Sequence, residues 1–204
     1  MKTAADSQSA TSNSQPATRH KIIFAGTSLT TGLGLDPDSA YPSLIQEKLD
    51  SAGLDIEAVN AGVSGETTAG LLQRLDWLLR GEFDVFVIES GANDGLRGVA
   101  VEAIEANLRQ IIQRVRAARP EAKIALIQME ALPNYGRAYG SAFHDLYVRV
   151  AKDENLTLLP FLLDRVAGRA ELNQGDGIHP NVEGERIVAD NVWRGLSALV
   201  RTLP

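Results

Sequence analysis

The apolar positions of this chain follow two spacings in turn. Short, nearly unbroken apolar runs fall at residues 21–25, 56–60, 84–89 (DVFVIE), 123–128 (KIALIQ) and 157–159, and each predicts a buried strand. Between them the spacing widens to three and four. Leu44, Ile45 and Leu49 predict a helix over 40–52, with Pro42 in its first turn and Gly53 past its end. Leu71, Leu72, Leu75 and Leu78 predict another up to Leu79, capped by Thr67 or Glu66. The cleanest stripe is Ile104, Leu108, Ile111, Ile112 and Val115 over 101–118, closed by Pro120. After a loop over 129–140, Phe143, Leu146, Tyr147 and Val150 predict a helix over 141–154. A weak helix over 162–172 and a last one over 182–201, burying Ile187, Val188, Val192, Leu196 and Leu199, complete the pattern.

Strand and helix alternate from end to end, which means βαβ units with right-handed crossovers. The expected fold is α/β: a three-layer α/β/α sandwich on a parallel sheet of about five strands, in flavodoxin-like strand order. No internal repeat and no second core is visible. Residues 20–204 read as one domain, and 1–19, rich in Ser, Thr, Ala and Gln, as a disordered tail or linker.

Composition narrows the function. At 204 residues and 44% hydrophobic, the chain can bury one good core. Its net charge of −6, with no Lys/Arg-rich run, lacks the footprint of a nucleic-acid binder. With no cysteine there is no disulfide, thiol nucleophile or cysteine-held metal. Nothing approaches a membrane span, so stable membrane insertion is not expected. The tail lacks a signal peptide's apolar core. A cleaved secreted protein or lipoprotein leaves such a tail, which favours a periplasmic or secreted location over a cytoplasmic one; an appended expression sequence looks the same.

Candidate chemistry sits in four glycine-containing loops: GTSLTTG, NAGVSGET, SGANDG and GDGIHPN. The first three follow strands, and in an open α/β sheet ligands bind at the carboxyl ends of strands. Ser28 in the first is either a nucleophile or a helix-capping or phosphate-cradling residue, with no Walker-type lysine to support the last. A serine needs a base, and histidine has the suitable pKa. Of three histidines, His20 stands at the tail junction as a solvated residue and His144 on a helix surface. His179 lies in a Gly/Pro turn three residues after Asp176, a spacing that lets the carboxylate reach its ring; an ordinary D-G turn has the same spacing. Asn93 and Asp94 are either turn formers or, for the Asn93 amide, an oxyanion donor beside the N–H groups of Gly62 and Ser28. One histidine and scattered carboxylates make a poor metal site, so no metal is expected.

These blocks, in this order, resemble the SGNH (GDSL) hydrolase family, most nearly its bacterial arylesterases and thioesterase I/lysophospholipases. AYPSLIQ, GANDGLRG, LPNYGRAY, LLPF and DGIHPN extend the similarity over nearly all of residues 21–201. The resemblance implies Ser28 as nucleophile, His179 as base and Asp176 as its orienting acid. It implies an oxyanion hole from Ser28, Gly62 and Asn93, and hydrolysis of esters or thioesters through an acyl-enzyme without cofactor. One position departs: the family's usual Asp before the nucleophile is Thr27 here.

The expected partner is a small-molecule ester, aryl or short-to-medium acyl, with thioesters and lysophospholipids in the same class. Leu29, Leu33, Leu35, Val63 and Leu96 stand beside the site, and Asn134, Tyr135 and Gly136 are expected to line its pocket. Two alternatives stay open: a carbohydrate or peptidoglycan O-acetyl esterase, disfavoured by only 5% aromatic residues, and a non-catalytic ligand-binding domain on the same scaffold.

Overall fold

The computed structural model describes residues 19–204, so the tail expected over 1–19 lies, but for Arg19, outside the described residues. Five parallel strands form one sheet: β1 (His20–Gly26), β2 (Ile56–Gly62), β3 (Val85–Ile88), β4 (Lys123–Ile127) and β5 (Thr157–Leu159), in the order β2-β1-β3-β4-β5. This is the flavodoxin-like order. Every residue of β3 is buried, as are all but the first one or two of β1 and β4, because helices cover both faces. The edge strands β2 and β5 are only partly buried, and β2 carries the polar Glu57 and Asn60.

Among the described residues, seven helices connect and cover the strands: α1 (Ser28–Thr31), α2 (Tyr41–Ser51), α3 (Thr68–Leu78), α4 (Ala92–Leu96), α5 (Val101–Ala118), α6 (Gly136–Asp153) and α7 (Val182–Val200). The helix α2 packs on α7, while α3, α5 and α6 pack in succession, and α6 and α7 both lie against β4 and β5. Two helical layers therefore sandwich the sheet. Thr67, one of the two caps expected, accepts from Gly70 N–H at the start of α3.

Local differences from the sequence expectation have clear causes. The helix α6 begins five residues early, because Tyr135, Tyr139, Phe143 and Tyr147 continue one ring-on-ring stripe at a spacing of four, with centroids 5.4–6.1 Å apart. The helix expected over 162–172 does not form. Arg165 and Gly168 take positive φ, and Asn191 Nδ2 donates to the Leu162 and Asp164 carbonyls, leaving turns and a short 3₁₀ segment at Ala170–Leu172. Asp94, open to reading as a turn former, lies within α4, is buried and accepts from the N–H and hydroxyl of Thr68 in the first turn of α3. His20 is tied down rather than solvated, with Nδ1 3.0 Å from Asp84 and Nε2 2.9 Å from the Pro204 carbonyl.

The strand order reverses between β1 and β3, so their carboxyl ends open onto the crevice where such folds bind ligands. The segment bearing Ser28 follows β1, and the one bearing Asn93 follows β3.

Candidate active site

At the end of β1 the chain turns at once into a single helical turn. Thr27 is the N-cap, its Oγ1 accepting from Leu29 N–H at 3.4 Å, and Gly32 in the left-handed region closes the turn on the Ser28 carbonyl. Ser28 is thereby held at the first helical position, 8% exposed, with its hydroxyl at the sheet edge.

The partner loop arrives from the other end of the chain. Asn173 and Pro180 form an isolated antiparallel bridge, Gln174 N–H donates to the His179 carbonyl at 2.7 Å, and the Asn173 amide holds the Val166 and Arg169 carbonyls. Gln174 Nε2 ties this loop to the serine's own segment through the Leu33 carbonyl at 2.7 Å. In the turn so formed, Asp176 Oδ1 accepts the N–H groups of Ile178 and His179, and Oδ2 lies 2.7 Å from His179 Nδ1. His179 Nε2 lies 2.9 Å from Ser28 Oγ. The structure thus brings Ser28, His179 and Asp176 into one hydrogen-bonded line. The hydrogen bond from His179, joined by the two backbone donors, holds the Asp176 carboxyl well below the usual range. An ionised carboxylate can only accept, so Nδ1 carries the proton and Nε2 is free to accept from the serine hydroxyl.

The other wall is built from the loops after β2 and β3, and here one residue is corrected. Gly62 does not face the site. Its N–H is spent on Asn60 Oδ1 at 3.0 Å, and a Cβ there would stand 2.7 Å from Thr31 N and 2.9 Å from the Thr27 carbonyl. Its role is to let the strand end pass close under α1. The glycine that borders the cavity is Gly65, three residues on, with φ of 77°. The N–H groups of Ser28 and Gly65 have no protein acceptor among the described residues. Asn93 borders the cavity, and its Nδ2 gives one proton to the Glu66 carbonyl at 2.9 Å and keeps the second. The loop is braced by Arg74, which pairs with both oxygens of Glu66 and caps the Ala61 carbonyl, and by Arg97, which donates to the Gly65 carbonyl.

Beside Ser28 opens a cavity of about 370 Å³, lined chiefly by apolar side chains, among them Leu29, Leu33, Leu96, Met129, Leu132 and Ile178. Glu130 is its only acidic lining residue, and it is paired with His144 Nδ1 at 2.6 Å. Leu35 and Val63 are not part of the wall. Nor are Asn134, Tyr135 and Gly136: the 3₁₀ turn Pro133–Tyr135 carries them outward, and Tyr135 packs on Gly98 with its hydroxyl directed to the Leu96 carbonyl. The residues of that loop that reach the cavity are Ala131 and Leu132. Asn173, Gln174 and Arg74, which position the loops, went unnoticed in the sequence. Their amide and guanidinium groups act on backbone carbonyls, and that leaves no motif.

Residues 24–187 match the GDSL-like lipase/acylhydrolase family. The chain is 40% identical over 187 residues to the esterase TesA of Pseudomonas aeruginosa, covering 91% of this chain and 92% of that one. It is 38% identical over 180 residues to the thioesterase 1/protease 1/lysophospholipase L1 of Escherichia coli, covering 88% and 84%. Among solved structures, the psychrotrophic esterase EstA from Pseudoalteromonas, inhibited by monoethylphosphonate, superposes with a TM-score of 0.84 at 34% identity, over 90% of this chain and all of that one.

Proposed function

The chain belongs to the GDSL-like lipase/acylhydrolase family and is a serine esterase of it; we propose that Ser28 is its nucleophile, His179 the general base and Asp176 the residue that orients the base. The observation that carries the reading is the unbroken line from Asp176 through His179 to Ser28 Oγ at the mouth of an apolar cavity. Ser28 Oγ attacks the ester carbonyl as His179 Nε2 takes its proton. The carbonyl oxygen gains the charge, and the free N–H groups of Ser28 and Gly65 with the second Asn93 amide proton receive it. His179 then gives its proton to the departing alcohol or thiol, leaving an acyl-serine. A water molecule deprotonated by His179 attacks that acyl group, the acyl–Oγ bond breaks to release the carboxylic acid, and His179 returns its proton to Ser28 Oγ.

The cavity favours a small ester with an aryl or short-to-medium acyl group over a sugar, since its walls are chiefly aliphatic leucine, isoleucine, methionine and alanine, with Phe161 as the aromatic ring among them. The test is a serine-directed phosphonate applied during turnover of p-nitrophenyl esters, from acetate through laurate. One phosphonyl group per chain, found on Ser28 and removing all hydrolysis, is the expected outcome. A label on another residue, or activity that survives full labelling, would overturn the assignment. Acetylated xylose tested beside phenyl acetate separates the substrate classes, and the aryl ester is expected to be the better one.

Because Leu132 lines the cavity and Tyr135 does not, Leu132→Ala is expected to shift the laurate-to-butyrate ratio of kcat/KM by roughly tenfold, the value of one or two buried methylenes. Tyr135→Ala is expected to move that ratio by less. The reverse ranking, read from the same ester series, would restore Tyr135 to the pocket wall.

A further inference from the structure

Beneath the turn that carries Ser28 lies a buried carboxylate that the proposed reaction does not use. Glu89 directly follows β3 and is 0% exposed. Its Oε2 accepts the Thr27 N–H at 2.6 Å, the Thr27 hydroxyl at 2.9 Å and the Thr30 hydroxyl at 2.9 Å; Oε1 lies 3.1 Å from the same Thr27 hydroxyl. Three donors from two residues of the Ser28 turn, Thr27 immediately before Ser28 and Thr30 two after it, converge on one group. No cation is among its hydrogen-bond or ion-pair partners in the described residues. The titratable groups around it are Tyr41 of α2, whose hydroxyl bonds Thr30 at 2.9 Å, Glu185 of α7, which accepts the Tyr41 N–H at 2.9 Å, and Tyr147 of α6. Thr30 has one hydroxyl proton. If it goes to Glu89, the Tyr41 hydroxyl must donate to Thr30, and the chain of donors runs inward to the carboxylate.

We propose that Glu89 is a positioning residue for the nucleophile, holding α1 in register with His179 through the Thr27 and Thr30 hydroxyls. The inference rests on the reading of Ser28 as nucleophile. Side chains at 27 and 30 are then handles, and Thr27 serves at its position as the donor that a buried carboxylate requires. An ionised Glu89 accepts all three donors. A protonated Glu89 brings a proton of its own into the same cluster, so one bond must be lost or reversed and the turn loosens. Burial pushes this carboxyl up to about 7, against the opposing pull of its Thr27 and Thr30 hydrogen bonds. The tight turn therefore forms as pH rises through neutrality. A misplacement of Ser28 Oγ by about 1 Å is enough to cost on the order of 100-fold in rate. The cavity walls come mostly from other segments, so substrate binding is not expected to change with it.

The experiment measures kcat and KM for p-nitrophenyl butyrate between about pH 5 and 9 in wild type, Ser28→Ala, Thr27→Ser, Thr27→Val and Glu89→Gln, with circular dichroism checking the fold. Thr27→Ser keeps the donor and is expected to match wild type. Thr27→Val and Glu89→Gln are expected to lose roughly 10- to 100-fold in kcat with KM little moved, and the double variant no more than the worse single one. On the acid limb, the slope of log kcat against pH is expected to be lower in Glu89→Gln than in wild type by about one unit, because the Glu89 ionisation is gone. Wild-type kcat and an unchanged slope in folded Glu89→Gln, with Ser28→Ala inactive, would overturn the positioning role. Should Glu89→Gln fail to fold, the Thr27→Ser and Thr27→Val pair decides, and equal kcat in the two overturns it. Activity surviving in Ser28→Ala strikes instead at the nucleophile reading beneath it.

Discussion

His179→Ala is expected to lower kcat for short p-nitrophenyl esters by on the order of 10⁶-fold, close to the loss from removing the nucleophile itself. The reason lies in the 2.9 Å contact between His179 Nε2 and Ser28 Oγ. Without a base within hydrogen-bond reach, the hydroxyl keeps its proton near neutrality, and neither acylation nor attack by water on the acyl-serine has an acceptor. Removing both partners in Ser28→Ala/His179→Ala should cost little beyond either single change, since the two act as one unit. The residual rate should reflect the oxyanion donors and the cavity alone. The measurement is steady-state hydrolysis at matched, high enzyme concentration. A loss in His179→Ala of only about tenfold would assign proton transfer elsewhere, with His144 the sole alternative imidazole near the cavity.

Asp176→Asn is expected to cost about 10⁴-fold in kcat while leaving the fold and KM nearly intact. Its carboxylate does two things at once. Oδ1 holds the loop through the Ile178 and His179 N–H groups, and Oδ2 faces the ring at Nδ1. Asparagine can keep the first contact through its carbonyl oxygen but must then present an N–H to Nδ1. That stabilises the tautomer protonated on Nε2, which cannot accept from Ser28. Loop geometry survives while the chemistry fails, and the separation is visible as a kcat effect without a KM effect. Because the Asp176 carboxyl is held below the ordinary range, it contributes no break to the acid limb of the wild-type profile. Equal losses in kcat and stability would mean that Asp176 acts mainly as a loop brace.

The parts of the fold legible in the sequence were those where every residue of a segment reports the same environment. The strands β1, β3 and β4 are covered on both faces, so their apolar runs are unbroken, and the stripe of α5 is uninterrupted for eighteen residues. Ser28, Asp176, His179 and Asn93 could be singled out because reactive types stand in glycine-containing turns after apolar segments. The choice between Gly62 and Gly65 could not be made that way. Both lie in the segment NAGVSGET, and what separates them is the backbone: Gly62 ends β2, packed under α1 with its N–H spent, and Gly65 lies in the following turn and opens to the cavity. The early start of α6 was hidden by Gly136 and Gly140, which look like loop residues until Tyr135 and Tyr139 are seen to extend the aromatic stripe. Glu89 was read only as the end of an apolar run, because its partners Thr27 and Thr30 are some sixty residues away in the chain.

The distance along the chain between Ser28 and His179 has a consequence for the making of the protein. The two residues are separated by 151 positions, and the loop bearing His179 leads directly into α7, which closes the fold by packing on α2. During synthesis Ser28 emerges 151 residues before His179, the residue proposed to take its proton. With the roles proposed for Ser28 and His179, hydrolysis needs the loop before α7 in place, so recovery of activity after dilution from denaturant should track docking of α7 rather than collapse of the sheet.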